Sequence, residues 1–190
     1  MKKFIAAALL LVLVVSMLGC STSGPATRGT VTNGVYTNDY FGLSFVIPDG
    51  WKALSDEEYA AKFPYPLPTN EELAEFESEF KDLRIEKVAD DTDYIIISYS
   101  MLFDKGSTDN QIKNKIAMVA SSLQFGIIDP ITIGDAEYSI MAGTAEDSTK
   151  TTYYIWSKEM IGKFRPLIWV VVDSNESIDN IVSGFSTISE

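Results

Sequence analysis

Leu167-Ile168-Trp169-Val170-Val171-Val172 is an uninterrupted apolar run near the C-terminus of a 190-residue chain. We predict a β-strand over residues 166–173, since a strand that is apolar at every position is typical of one covered on both faces. Residues 94–103 are dense in β-branched and aromatic side chains and are predicted to form a central strand. A sheet with both faces covered is therefore expected.

Alternation and turn signals predict the remaining strands, at residues 35–37, 43–47, 84–88, 131–142 and 151–157. Helices are predicted where a capping residue precedes apolar residues at helical spacing. The first helix covers residues 56–62 and follows Ser55 and Glu58. The apolar faces of the next three are Leu73, Phe76, Phe80 and Leu83 after Thr69; Ile112, Ile116, Val119, Ala120 and Leu123 after Thr108; and Ile178, Ile181, Val182 and Phe185. This element order predicts an α+β domain with a largely antiparallel β-sheet and helices packed on it.

The N-terminus carries the features of an export signal. Lys2 and Lys3 precede an almost unbroken apolar run that is short for a membrane-spanning helix. The run ends in Met17-Leu18-Gly19-Cys20, which resembles the lipobox of bacterial lipoproteins. The resemblance implies cleavage after Gly19 and a lipid on the Cys20 thiol, which would attach the protein to a membrane of the bacterial cell envelope, outside the cytoplasm. A plain secretory signal with an incidental cysteine and an uncleaved membrane anchor are the alternatives.

We expect three segments: a signal peptide at residues 1–19, a lipidated cysteine with a flexible stalk at residues 20–33, and a single domain at residues 34–190. The stalk prediction rests on Ser, Thr and Gly without apolar periodicity. Loss of Lys2 and Lys3 leaves 13 basic and 27 acidic residues, a net charge of −14. Nucleic acid is therefore not an expected partner.

The segment from Tyr36-Thr37-Asn38-Asp39-Tyr40-Phe41 through Ile47-Pro48-Asp49-Gly50-Trp51 resembles the start of PsbP-like (Mog/PsbP-like) domains, which occur in small bacterial lipoproteins. Their pattern is a short strand, a turn, a strand ending in Pro-x-Gly-Trp, and then a helix. The resemblance implies an antiparallel sheet sandwiched between helices, an α/β/α arrangement. Relatives bind proteins, one as an extrinsic photosystem II subunit and another as a factor for the small GTPase Ran. The family shares no catalytic motif.

The residue types present argue against several kinds of catalysis. The chain has no histidine and one cysteine, Cys20, which excludes Ser-His-Asp catalysis, imidazole zinc sites and iron–sulfur clusters. No cofactor is expected, and the protein is predicted not to be an enzyme. A pair of carboxylates brought together by folding is the catalytic possibility that stays open.

Two groups of residues are candidates for binding. Asp90, Asp91 and Asp93 offer oxygen ligands of the kind that Ca²⁺ prefers, although an acidic turn of this type is more often only solvated. A second group consists of candidates for a partner surface: Phe63, Tyr65 and Leu67, which alternate with prolines, and Trp156. Their alternatives are a rigid connector packed on the core and a buried tryptophan.

The expected function is that of a non-enzymatic adaptor that binds an envelope protein near the membrane. The alternative is a module that binds a small ligand or an ion in a pocket between sheet and helices.

Overall fold

The computed structural model of the protein describes residues 25–75, 79–101 and 106–188, apart from the side chain of Ile127. The strands are β1 (Thr30–Thr32), β2 (Val35–Asn38), β3 (Leu43–Val46), β4 (Trp51–Ala53), β5 (Phe80–Lys87), β6 (Tyr94–Ser100), β7 (Leu123–Ile127), β8 (Ile131–Ile133), β9 (Ala136–Ala145), β10 (Lys150–Ser157), β11 (Arg165–Asp173) and β12 (Phe185–Thr187). The helices are α1 (Asp56–Lys62), α2 (Asn70–Glu75), α3 (Asp109–Val119) and α4 (Ile178–Val182).

The strands form two sheets, and every pairing between described strands is antiparallel. The small sheet has the order β1-β2-β3-β12, and the large sheet has the order β4-β5-β6-β11-β10-β9-β7, with β8 paired to β9. Strand β11, predicted from its apolar run, lies between β6 and β10. The α+β class and the largely antiparallel sheet are therefore confirmed.

A row of isoleucines crosses the middle of the large sheet. Ile168 of β11 lies opposite both Ile97 of β6 and Ile155 of β10, and Ile155 lies opposite Ile140 of β9. All four side chains are buried. Because residues opposite one another in a sheet point to the same face, this row forms one side of a continuous core.

Different elements cover the two faces of the large sheet. The small sheet and α4 pack on the isoleucine face, through residues such as Phe45 and Ile181. On the opposite face, α3 places Ile112 and Ile116 against side chains of β9, β10 and β11. Helical cover is thus present on both faces, but on the isoleucine face a second sheet supplies much of it.

The predicted starts of α1 and α3 are confirmed. Ser55 and Glu58 form a reciprocal capping box at α1, and Thr108 and Gln111 form another at α3. Such boxes satisfy two backbone N–H groups that the first helical turn leaves without partners. The longest described helix, α3, has 11 residues, and none of the described helices is long and apolar enough to cross a membrane.

The helix predicted after Thr69 begins as expected, with a reciprocal capping box between Thr69 and Glu72, but the prediction is too long. Helix α2 ends at Glu75, and Phe80 and Leu83 belong to strand β5; Phe76 lies outside the described residues. A register shift between Lys81 and Leu83 in the pairing with β6 explains the misleading pattern. This bulge turns Phe80 and Leu83, three residues apart, into the same core. Their spacing therefore imitates that of a helix.

Two other helical stripes extend too far. Leu123 lies in β7, beyond the end of α3, and Phe185 lies in β12, beyond the end of α4. The ring of Phe185 stacks on Phe45 with 4.1 Å between centroids. The pairing of β12 with β3 allows this stack, and it forms in place of a continuation of α4.

The stalk prediction is wrong for its described C-terminal part. Ala26 is buried, and Thr30–Thr32 forms strand β1 on the edge of the small sheet. The turn to β2 is made by Asn33 and Gly34, with φ of 52° and 77°. Two left-handed residues form the tight turn that suits the twist of a hairpin. Residues 1–24, including Cys20, lie outside the described residues.

We expect Phe45→Ala to lower the free energy of unfolding by about 3–5 kcal/mol, because Phe45 joins the two sheets and truncation of a buried phenylalanine leaves a cavity. Val46→Ala in the same strand is the matched control, since Val46 is 55% exposed; its expected effect is about 0.5 kcal/mol or less. Guanidinium unfolding measures both. Equal losses would contradict this assignment of the core.

Candidate functional site

The proline-rich segment presents little of its predicted partner surface. Leu67 is 8% exposed and packs with Leu54 and Tyr59. Phe63 is half-buried, and its ring contacts Tyr59 and the guanidinium of an arginine in β5. Tyr65 alone of these candidates is largely exposed, at 80%. The segment is therefore a rigid connector packed on its own small core, and the prediction of Leu67 as a surface residue is wrong.

Trp156 is also buried, with no exposed surface. Its indole N–H donates a hydrogen bond of 3.0 Å to the carboxylate of Asp109 in the first turn of α3. Because α3 packs across this part of β10, the tryptophan belongs to the core beneath the helix. The prediction that Trp156 lies on a partner surface is wrong.

The acidic turn after β5 separates its three aspartates. Asp90 and Asp93 come together with Asp173, and their carboxylate oxygens lie within 4.8 Å of one another. Asp91 instead forms an ion pair of 3.2 Å with Lys62 of α1. The structure thus brings together two of the three sequence candidates and adds a third carboxylate from β11.

Lys150 of β10 supplies the positive charge for these carboxylates. Its ammonium lies 2.9 Å from Asp90, 2.5 Å from Asp93 and 3.2 Å from Asp173. The Lys150 ammonium has three N–H donors, and it occupies the position that a hard cation would need in order to bind the same carboxylate oxygens. Lys87 adds a second ammonium, 3.2 Å from Asp93. The two lysines offset part of the negative charge of the three carboxylates, and the cluster carries no proposal of a metal site.

Two neighbours lower the pKa of Asp90. The Thr92 side chain and backbone N–H donate hydrogen bonds to its carboxylate, and Lys150 adds a third donor. Each donor favours the ionised form. In return, Lys150 donates hydrogen bonds to the carboxylates, and these bonds, above all the one to Asp93, raise the pKa of Lys150. Both groups are consequently charged across the physiological pH range.

An apolar groove lies between α3 and the large sheet. It has a volume of about 100 Å³ and is lined by Ile116 and Val119 of α3, Tyr154 of β10, Leu167 and Trp169 of β11, and two charged residues, Lys115 of α3 and Glu79, which precedes β5. The indole N–H of Trp169 is buried and has no hydrogen-bond partner among the described residues. Burial raises the pKa of Glu79. The groove thus combines an apolar lining with one indole donor and two charged residues of opposite sign.

The last turn of α3 leaves apolar surface exposed at this groove. Val119, which lines the groove, is 78% exposed. The spacing of the α3 stripe predicts a buried Val119, and this prediction is wrong. The sequence contains no signal that would place Glu79 beside Trp169.

We expect millimolar Ca²⁺ to leave the melting temperature of the wild type unchanged and to raise that of Lys150→Met. Removal of this ammonium opens its position among the three carboxylates to a cation, although Asp93 keeps its ion pair with Lys87. At about 10 mM Ca²⁺, a site with a Kd of about 1 mM would add about 1.4 kcal/mol, or about 3 °C. Lys158→Met is the matched control, because Lys158 pairs with the exposed Glu137 elsewhere. Stabilisation of the wild type would contradict the assignment.

The lowered pKa of Asp90 has a consequence at acid pH. Because the folded pKa lies below the ordinary value of 3.8, the ionised form stabilises the fold above that value, and this contribution is lost as the pH falls through the folded pKa. We expect Thr92→Ala and Lys150→Met each to raise the pKa of Asp90. Carboxyl-detected NMR titration measures the shift, and an unchanged pKa in both variants would refute these contacts.

The comparisons with known proteins give a distant likeness of fold. No protein-family model matches the chain, and no curated protein matches it either. Among solved structures, the chain is similar to a protein of Bacteroides thetaiotaomicron VPI-5482, with 13% sequence identity and a TM-score of 0.41. The match covers 86% of this chain and 49% of the other, so the chain spans about half the length of that protein.

Proposed function

We propose that the protein is a lipid-anchored component of the bacterial cell envelope whose PsbP-like domain binds another protein and performs no catalysis. The lipobox-like Met17-Leu18-Gly19-Cys20 supports the anchor. Two or more acyl chains make such attachment durable. Ala26, the first buried residue among those that the structure describes, lies six positions beyond Cys20. The domain would therefore be held close to the membrane.

The order of elements at the start of the domain supports the PsbP-like assignment. Strand β2 is followed by a turn and by β3, the chain then passes through Pro48 and Gly50 into Trp51, and α1 follows. This is the pattern that the resemblance predicts. The antiparallel large sheet with helices packed on it is also of the kind expected.

The observation that carries the binding function is the groove beside α3. Pockets for small ligands usually measure about 300–1,000 Å³, whereas this one measures about 100 Å³. A volume of this size suits one apolar side chain. The exposed Val119 in its lining supplies apolar surface of the kind that surrounds such an anchor in protein interfaces.

The chemistry of the groove and of the chain specifies the partner. The inserted side chain is apolar, and a carbonyl next to it accepts a hydrogen bond from the Trp169 indole. The partner surface around it is basic, since the chain without residues 1–19 has a net charge of −14. The proposed occupant is thus a basic protein segment with an aliphatic or aromatic anchor residue.

The alternative is a small-ligand module that uses the same groove. Its apolar lining favours a small apolar molecule. An ion is less well supported, because the Lys150 ammonium already pairs with all three carboxylates of the acidic cluster. A thermal shift with small apolar compounds that is lost in Val119→Arg would favour this alternative.

The binding proposal is tested by photo-crosslinking in the native host, with a photoreactive residue at Lys115 in one strain and at Val88 in another. Lys115 is exposed and lines the groove. Val88 is the matched control because it is 68% exposed and lies outside the groove lining. We expect one envelope protein to be captured at Lys115 through a basic segment with an apolar residue. Val119→Arg should reduce its capture about tenfold or more, because a charge enters an apolar anchor site.

The outcomes test the lipid anchor and the binding groove separately. Capture that survives Val119→Arg, or that is equal at Val88, would refute the groove. Cys20→Ala should move the protein from the membrane fraction to the soluble fraction. A Cys20→Ala protein that stays with the membrane would refute the lipid anchor and leave the result on the groove unaffected.

A further inference from the structure

The side chain of Asp82 is fully buried between the two sheets. Its carboxylate accepts hydrogen bonds from the Tyr36 hydroxyl at 2.5 Å and the Asn38 amide at 3.0 Å. The backbone N–H of Gly29 donates to the same carboxylate at 2.9 Å. Tyr36 and Asn38 belong to β2, whereas Gly29 lies in the segment that precedes β1. The sheets therefore present a buried anion to which the N-terminal segment binds.

Arg28 joins the same segment to two helices. Its guanidinium forms two hydrogen bonds of 2.8 Å to the Asp56 carboxylate at the start of α1. Its backbone N–H donates to the Asn70 side chain at the start of α2, also at 2.8 Å. The carbonyl of the preceding residue, Thr27, accepts from Asn38. Polar contacts thus attach this segment to α1, to α2 and to Asn38 of β2.

Apolar packing contributes little to this attachment. Of residues 26–32, which we call the strap, Ala26 is the buried apolar residue, and Val31 is 41% exposed. An open cleft of about 530 Å³ runs beside Arg28 to Val31. Water can replace most of the contacts that the strap would lose. Burial raises the pKa of Asp82, and departure of the strap would relieve part of the desolvation behind that shift.

We propose that the strap docks on and releases from the folded domain, and so sets the distance that the domain can reach from its lipid anchor. The part concerning reach rests on the proposed function. The hinge is the turn at Asn33 and Gly34. With the strap docked, residues 20–25 span at most about 20 Å at ~3.3 Å each; with it released, residues 20–33 span about 46 Å.

Tryptic cleavage after Arg28 measures docking directly, because a docked strap cannot enter the protease. The substrate is the full chain in detergent micelles, and mass spectrometry detects the fragment that begins at Gly29. We expect cleavage of the wild type to be at least about tenfold slower than that of a peptide of residues 22–34. When opening is rapid, the rate follows the population of the open state.

Two variants should release the strap without disturbing the core. Asp56→Asn weakens the pair with Arg28, and we expect it to accelerate cleavage about fivefold. Gly29→Ala should accelerate it more, because a Cβ at Gly29 would lie 2.2 Å from the Tyr36 ring. Peptides with the same substitutions correct for protease preference. Glu57→Gln, an exposed change in the first turn of α1, is the matched control and should have no effect.

Three results would contradict the proposal that the strap docks on the domain and releases from it. Cleavage of the wild type at the rate of the peptide would show that the strap does not dock. Equal rates for wild type, Asp56→Asn and Gly29→Ala would show that these contacts do not hold it. Cleavage that appears only with unfolding of the whole domain, at all tryptic sites together, would show that the strap does not release on its own.

A second measurement tests reach on vesicles of phosphatidylethanolamine and phosphatidylglycerol that contain a lipid dye. A fluorophore on Val88→Cys reports energy transfer, since the lipid occupies the Cys20 thiol. We expect lower transfer with Gly29→Ala than with the wild type. Equal energy transfer in the two proteins would contradict the proposal that the strap sets the reach of the domain. A chain that does not float with the vesicles would contradict both the lipid anchor and the control of its reach. Docking and release of the strap are tested separately, by the trypsin experiment.

Discussion

The arrangement of the two sheets depends on the partners of one buried carboxylate, that of Asp82. A charge removed from water is tolerated when donors surround it, and here the donors come from the small sheet and from the strap. The Tyr36 hydroxyl also lies 2.9 Å from that of Tyr99 in the large sheet. Apolar faces alone could slide over one another, because burial is not directional. The hydrogen bonds to Asp82 specify one position of the small sheet on the large one.

Local patterns predicted the elements that local interactions determine. Each of the three confirmed capping boxes lies within four residues of sequence, and the apolar run at Leu167–Val172 is a property of one strand. The errors arose where distant pairing decides. A bulge made Phe80 and Leu83 resemble a helix. Asn33-Gly34 is a strong hairpin signal, but it was assigned to the end of a stalk because the short, polar strand β1 has no apolar alternation. The partners of Asp82 lie 44 and 46 residues away for Asn38 and Tyr36, and nothing in the sequence marks them as a cluster.

The candidate sites show the same division. The sequence identified Asp90 and Asp93 as an acidic pair, but Lys150 and Asp173 reach them only through the pairing of β10 with β11. Trp156 and Leu67 are aromatic and aliphatic residues whose exposure depends on what packs above them. Asp109 of α3 covers the first and Tyr59 of α1 lies against the second. The groove is formed where α3 meets β10 and β11, and its carboxylate, Glu79, comes from a third part of the chain. Such a site is visible only after folding.

The proposed groove and the proposed strap lie on opposite faces of the large sheet. The groove is on the face that α3 covers, with Tyr154 and Leu167. Asp82 bonds to Tyr36, whose ring belongs to the core between the two sheets. The isoleucine row and its neighbours, whose side chains are buried, separate them. A released strap would therefore change where the groove can reach without changing its shape. Affinity for a partner would reside in the groove, and the range over which the anchored domain can meet that partner would be set by the strap.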